Sequence, residues 1–205
     1  MKSVLPFLGL LFFVVSNALC ISPEETFRQF QEGKTIKFTV LGHAKSKGAN
    51  FSIKYPQSWM AKEGERSNMV QNFASDNGKG SEVMNILTKV LPPGESFNEA
   101  YAKSALSPQN LLSLVPKGGS LVRAISTTID GELAGLVEYG IHQQAAGMEL
   151  DNYIMSVAFW QHHTLVVVSF VVFGTSAADA AQRFEAFRPL FTLMLTSIVF
   201  DGKWK

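Results

Sequence analysis

Apolar and polar positions alternate most clearly in residues 50–59 (NFSIKYPQSW), where Phe51, Ile53 and Tyr55 fall on one side and Ser52 and Lys54 on the other. A period of two marks a half-buried strand. Pro56 has no N–H to give a ladder and ends that strand. Gln57 and Ser58 make a corner, and Trp59 sits behind it as an aromatic plug. Residues 35–41 (TIKFTVL) alternate in the same way, with Ile36, Phe38 and Val40 on one face. The Lys- and Gly-rich segment 42–48 between the two predicts an antiparallel hairpin. Residues 69–73 and 82–91 are further strands, separated by the loop 75–81 (SDNGKGS) with Asn77-Gly78 as its turn signal.

A long antiparallel meander follows. Its strands are 121–129, 132–142, 150–160 and 164–173, turned at Asp130-Gly131, at 145–147 and at 161–163. Residues 164–173 (TLVVVSFVVF) are the most continuously apolar, which predicts a central strand covered on both faces.

Helical signals lie at the two ends and in the middle. Ser22, Pro23 and Glu25 form a capping box, Phe27 and Phe30 share a face, and Gly33 stops the helix. Ser96 with Glu99 predicts a second capping box, for a helix lined by Phe97, Ala100, Tyr101 and Ala105, and a shorter helix is expected over 108–115. Ser176 caps a last helix whose stripe is Phe184, Phe187, Phe191 and Met194, with Pro189 expected to kink or split it. A final short strand is expected at 197–200. One sheet with an open face would leave these helical stripes in water, so the pattern predicts an α+β chain built as an α/β/α sandwich. One mostly antiparallel sheet carries helices on both of its faces.

The first twenty residues have a different pattern. Lys2, an apolar run over 4–15 and the small and polar residues Ser16, Asn17 and Ala18 follow the order of a secretory signal peptide. Residues 1–20 are read as that signal and 21–205 as one domain, with cleavage after Ala18 or after Cys20. Cys20 is the single cysteine, and with Asn17 and Leu19 before it a lipoprotein box is poor. Without Lys2 the basic and acidic side chains are equal in number, which excludes a nucleic-acid footprint. Contact with a membrane is expected only if Cys20 carries a lipid or the signal stays uncleaved.

Phe51-Ser52-Ile53-Lys54-Tyr55-Pro56 followed by Trp59 resembles the F-S-I-x-Y-P-x-x-W entry of the PsbP/Mog1-like superfamily, which includes bacterial DcrB-like proteins. The order of elements over residues 35–200 is similar as well. The resemblance implies an α/β/α sandwich and a protein that works by binding or assembly rather than by catalysis. Known members are an extrinsic photosystem subunit, a small-GTPase partner and cell-envelope proteins. No partner-specific motif of the first two is matched here, so the resemblance carries over a fold and not a binding site.

The residues themselves carry little chemistry. His43, His142, His162 and His163 form no HxH, HxxxH or HExxH pattern, and no metal or cofactor is expected. His142 is read as pairing with Glu149 across a hairpin. There is no Gly-x-Ser-x-Gly elbow. Glu63, Glu65 and Asp76 stand beside Lys62, Arg66 and Lys79, as on a solvated rim. Trp59 is read as core, whereas Trp160, at a strand end, joins His162 and His163 as the candidate contact surface. The expected function is that of a non-enzymatic exported envelope protein that binds another envelope protein. The alternative is a carrier of a small apolar ligand or lipid, held between sheet and helix.

Overall fold

Among the described residues, seven strands form a single antiparallel sheet in the order β3-β4-β5-β9-β8-β7-β6. They are β3 (Met60–Glu63), β4 (Met69–Ala74), β5 (Glu82–Val90), β6 (Ser120–Ile129), β7 (Glu132–Ala145), β8 (Met148–Gln161) and β9 (Thr164–Gly174). The computed structural model describes residues 21–203 apart from Pro93, Ala146 and Gly147. The signal-peptide reading of 1–20, and with it Cys20, lies outside the described residues.

The apolar strand β9 occupies the middle of the sheet, as its composition requires, between β5 and β8. Two-residue turns join β6 to β7 at Asp130-Gly131, both with positive φ, and β8 to β9 at His162-His163. The first hairpin, β1 (Thr35–Thr39) and β2 (Ser52–Pro56), forms a separate two-stranded sheet and does not extend the main one. It leans on the large sheet through Phe51, Ile53 and Tyr55, all buried. Strand β3 carries no alternation that the sequence could reveal. All four of its residues are exposed at the sheet edge, and Glu63 pairs with Lys45 at 3.0 Å.

The period of two divides the sheet into two cores. On one face, Met84 and Ile86 of β5, Val168 and Phe170 of β9 and Met155 and Phe159 of β8 meet α1 (Pro23–Gln31), the first hairpin and α5 (Ala177–Thr196). Trp59 is 4% exposed in this core, edge-on to Phe191 at 6.5 Å. On the other face, Leu87, Val167, Ile154 and Val137 meet Leu106 and Leu111, from the end of α3 (Glu99–Ala105) and from α4 (Pro108–Leu111). Burying each such side chain contributes roughly 2 kcal/mol. Gly135 lets α4 approach β7: a Cβ there would lie 2.5 Å from Leu111 Cδ2.

The helix ends show how capping chemistry decides boundaries. Ser22 and Ser176 cap α1 and α5 as expected, accepting from the N–H groups of Glu25 and Asp179. The middle helix is a correction: Asn98, not Ser96, is its cap, accepting from Tyr101 N at 2.8 Å. Phe97 lies before the helix, its ring held against Trp160, and Ala100 is exposed, so the buried stripe is Ala102 and Leu106. Pro189 neither splits nor ends α5, which runs through it for 20 residues. The buried side chains on either side of it, Phe187, Leu190 and Phe191, hold the helix by packing where one backbone bond is missing. After α5, Val199 makes a single bridge to Ser52.

Candidate functional site

Trp160 is the last-but-one residue of β8, and the pleat turns it to the face that carries α3 and α4. It is half-buried. Phe97 tilts against it at 5.5 Å and Tyr101 meets it edge-on, also at 5.5 Å. Its indole N–H is buried and has no hydrogen-bond partner among the described residues. Such a donor is costly to leave unmade.

Beside this ring an open cleft of about 510 Å³ runs between β5, β8, β9 and the two short helices. Leu91, Leu106 and Leu111 make its apolar wall, and Val90 stands exposed at its rim. Lys89, Glu95 and Gln109 line it with polar groups. The Tyr101 hydroxyl donates to Glu95 Oε2 at 3.1 Å, and burial together with that carboxylate raises the phenol above its usual range.

The three candidate residues are only partly brought together. His163 joins Trp160 through Phe97, whose ring lies 6.1 Å from the imidazole. His162 stands exposed at the turn apex with φ 52°. Gln161, before them, clamps the strand end to the loop at Asn50, accepting from its N–H and donating to its carbonyl. His142 pairs with Asp151 at 3.2 Å, not with Glu149, because the β7–β8 register sets Gln144 opposite Glu149. Glu65 pairs with Lys62 at 3.2 Å, on the solvated rim that its neighbours indicate.

Two buried carboxylates escape a reading by motif. Glu138, 1% exposed, accepts from Arg123 at 2.6 Å, from Arg188 at 2.8 and 3.0 Å and from the Tyr153 hydroxyl at 3.0 Å. Burial by itself would raise its carboxyl, but these donors hold it below the usual range. Glu82, 4% exposed, accepts from Arg183 and from Ser75. The signal for Glu138 was a single charge inside the otherwise apolar run 133–141 (LAGLVEYGI). Among the described residues no group of three or more His, Cys, Asp or Glu side chains converges as metal ligands, and no helix is long and apolar enough to cross a membrane. Chemically, the Trp160 end offers aromatic faces, a concave apolar wall and one unmade hydrogen bond.

With one large antiparallel sheet held between helices, the chain has a PsbP/Mog1-like α+β fold. No family model and no curated protein sequence matches the chain. Among solved structures it is similar to cyanobacterial PsbP (CyanoP) from Synechocystis sp. PCC 6803. The TM-score is 0.55 at 10% identity, over 82% of this chain and 92% of that one. It is also similar to LpqN of Mycobacterium tuberculosis, described as involved in cell envelope biogenesis, with TM-score 0.49 at 10% identity over 89% and 98% of the two chains. For the protein Mog1 the TM-score is 0.49 at 13% identity, over 83% and 97%. At this identity the likeness to CyanoP speaks for the fold alone.

Proposed function

We propose that this chain is a non-enzymatic exported factor of the cell envelope that docks another protein at its Trp160 end. The observation that carries the reading is the open cleft beside Trp160, with its unpartnered indole N–H and exposed Val90 at the rim. Aromatic anchors beside concave apolar pockets are where binding energy concentrates in protein interfaces. His163 adjoins the same surface through Phe97, and His162 stands exposed at the adjacent turn. The apolar run 4–15 supports export.

A photo-crosslinking residue at His162, with a second at the exposed Gln144 at the far end of the β7–β8 hairpin as a remote control, tests the reading in the native host. The His162 probe is expected to capture one protein, and Trp160→Ala is expected to lose it with folding intact. Equal capture from Gln144, or capture indifferent to Trp160→Ala, defeats the proposal. The size of the cleft also favours a second reading, a carrier of a small apolar ligand, since such sites run roughly 300–1,000 Å³. Native mass spectrometry of the purified protein separates the two, because only the carrier retains a bound small molecule.

A further inference from the structure

At the opposite end of the sheet, the connection between β4 and β5 winds against the usual hand. Asp76 (φ 48°, ψ 53°), Asn77 (φ 53°, ψ 32°) and Gly78 (φ 89°) are three successive residues with positive φ, in the element α2 (Ser75–Gly78). Left-handed backbone is unfavourable for L-residues, least so for Gly, Asn and Asp. It persists where surroundings over-determine it, and such places concentrate at binding sites. Here Asn77 N donates to Ser58 O at 2.8 Å and Gly80 N to Ser75 O at 3.0 Å. A Cβ on Gly80 would fall 1.7 Å from Ser75 Oγ, so only glycine leaves that hydroxyl its place.

The hydroxyl has a specific task. Ser75 Oγ donates to Glu82 Oε2 at 2.7 Å, and Arg183 Nη2 donates to Glu82 Oε1 at 2.6 Å. Glu82 and Ser75 are each 4% exposed, while the Arg183 side chain remains 41% exposed. A buried carboxylate thus fixes one nitrogen of a guanidinium that presents five N–H donors in a rigid fork.

The remaining fork lines a cleft of about 400 Å³ between this loop, the start of α1 and α5. Pro23 and Ala186 give its lining accessible apolar surface, Trp59 and Phe187 contribute only their buried edges, and Ser22, Ser58 and Ser81 are polar. Lys79, exposed, is a second cation on the rim, and Asp76 is a carboxylate in the same lining. The two carboxylates of the lining weigh against a doubly charged anion. A single carboxylate, by contrast, matches the fork in shape and charge.

We propose that this cleft binds a small monocarboxylic acid with an apolar body, its carboxylate on Arg183 and its body against Pro23 and Ala186. The site is separate from the Trp160 cleft and independent of what docks there.

The probe is 3-phenylpropionate, titrated into the protein and followed by amide chemical shifts. The expected result is saturable shifts centred on residues 75–82 and the first turn of α1. Arg183→Lys keeps the charge beside Glu82 but loses the fork, and should weaken binding at least about tenfold. Lys79→Ala, at an exposed position on the rim, should weaken it by a smaller factor. The uncharged 3-phenylpropanol should leave these amides unmoved. Any of three results overturns the proposal: no shifts up to millimolar probe, shifts confined to the residues around Trp160, or tighter binding of inorganic phosphate than of the carboxylate.

Discussion

Arg188 of α5 and Glu138 of β7, 50 residues apart in sequence, meet in a two-point clasp, with Nη1 2.8 Å from Oε1 and Nη2 3.0 Å from Oε2. Arg188 is also held by Glu185 at 2.7 Å, and its guanidinium lies 4.9 Å above the Phe184 ring. Arg123 from the edge strand closes on the same carboxylate. The clasp ties α5, β7 and the edge strand β6 together at one carboxylate. Its carboxylate is desolvated, so it stabilises only while charged.

Glu138→Gln is therefore expected to cost about 3 kcal/mol at neutral pH, because it leaves two guanidinium groups facing a neutral amide. The sign of the pH effect follows from the lowered carboxyl. The contribution is complete above the ordinary Glu value of about 4.3 and is lost as pH falls through the lower folded value. Urea titrations across this acid range should show the wild type losing stability more steeply than Glu138→Gln. Parallel slopes would mean that the acid sensitivity lies in other carboxyls.

Phe191 is fully buried and touches four other rings: Phe170 at 4.7 Å, Phe184 at 5.3 Å, Phe187 at 5.7 Å and Trp59 at 6.5 Å. Phe191→Ala is expected to destabilise by about 4 kcal/mol, from lost burial and the cavity left behind. Phe191→Leu should cost clearly less. Equilibrium denaturation that ranks the two equally would show that the rings rearrange to fill the space.

Gly135→Ala sets a methyl against Leu111, whose Cδ2, Cδ1 and Cγ would lie at 2.5, 2.7 and 3.0 Å. Overpacking of this kind costs about 1–3 kcal/mol. The double variant Gly135→Ala with Leu111→Ala should be more stable than the sum of the two single losses, because the added methyl enters the space the leucine vacates. Strict additivity in a double-mutant cycle would place α4 elsewhere than on Gly135.

Burial pushes the Tyr139 phenol up to about 12, against a smaller opposing effect from the Ser156 hydroxyl. The folded state thus favours the neutral phenol. Its contribution is whole below the ordinary tyrosine value of about 10 and is lost as pH rises from there toward 12. Absorbance titration of tyrosinate should find one phenol that ionises last, together with unfolding, and that signal should vanish in Tyr139→Phe. Ionisation of all four tyrosines before any loss of secondary structure would contradict it.

Much of this architecture is legible in periodicity. The alternation in β2, β5 and the meander assigns each side chain to a face, and the apolar β9 declares itself central before any partner is known. The detached first hairpin was not legible, because alternation says which face of a strand is buried and not which sheet it joins. Strand β3 was hidden because an exposed four-residue edge has no pattern to show. Phe97 misled for a related reason: an aromatic beside a helix start can serve a neighbouring ring instead of the helix. Of the candidate residues, the place of Trp160 at a strand end was legible. Glu138 and Glu82 were not, since their partners Arg188 and Arg183 come from an element far along the chain.

Strand β5 has two neighbours, β4 beside it in sequence and β9, which begins only at Thr164. All of β6, β7 and β8 is therefore synthesised before β5 can complete its ladder. The meander closes through short local turns and can form early, whereas the amino-terminal strands wait with an open edge of Val83, Ile86 and Leu87. A nascent chain halted before Thr164 holds that edge unpaired, which makes it a natural place for a chaperone to hold the protein and a vulnerable one for aggregation.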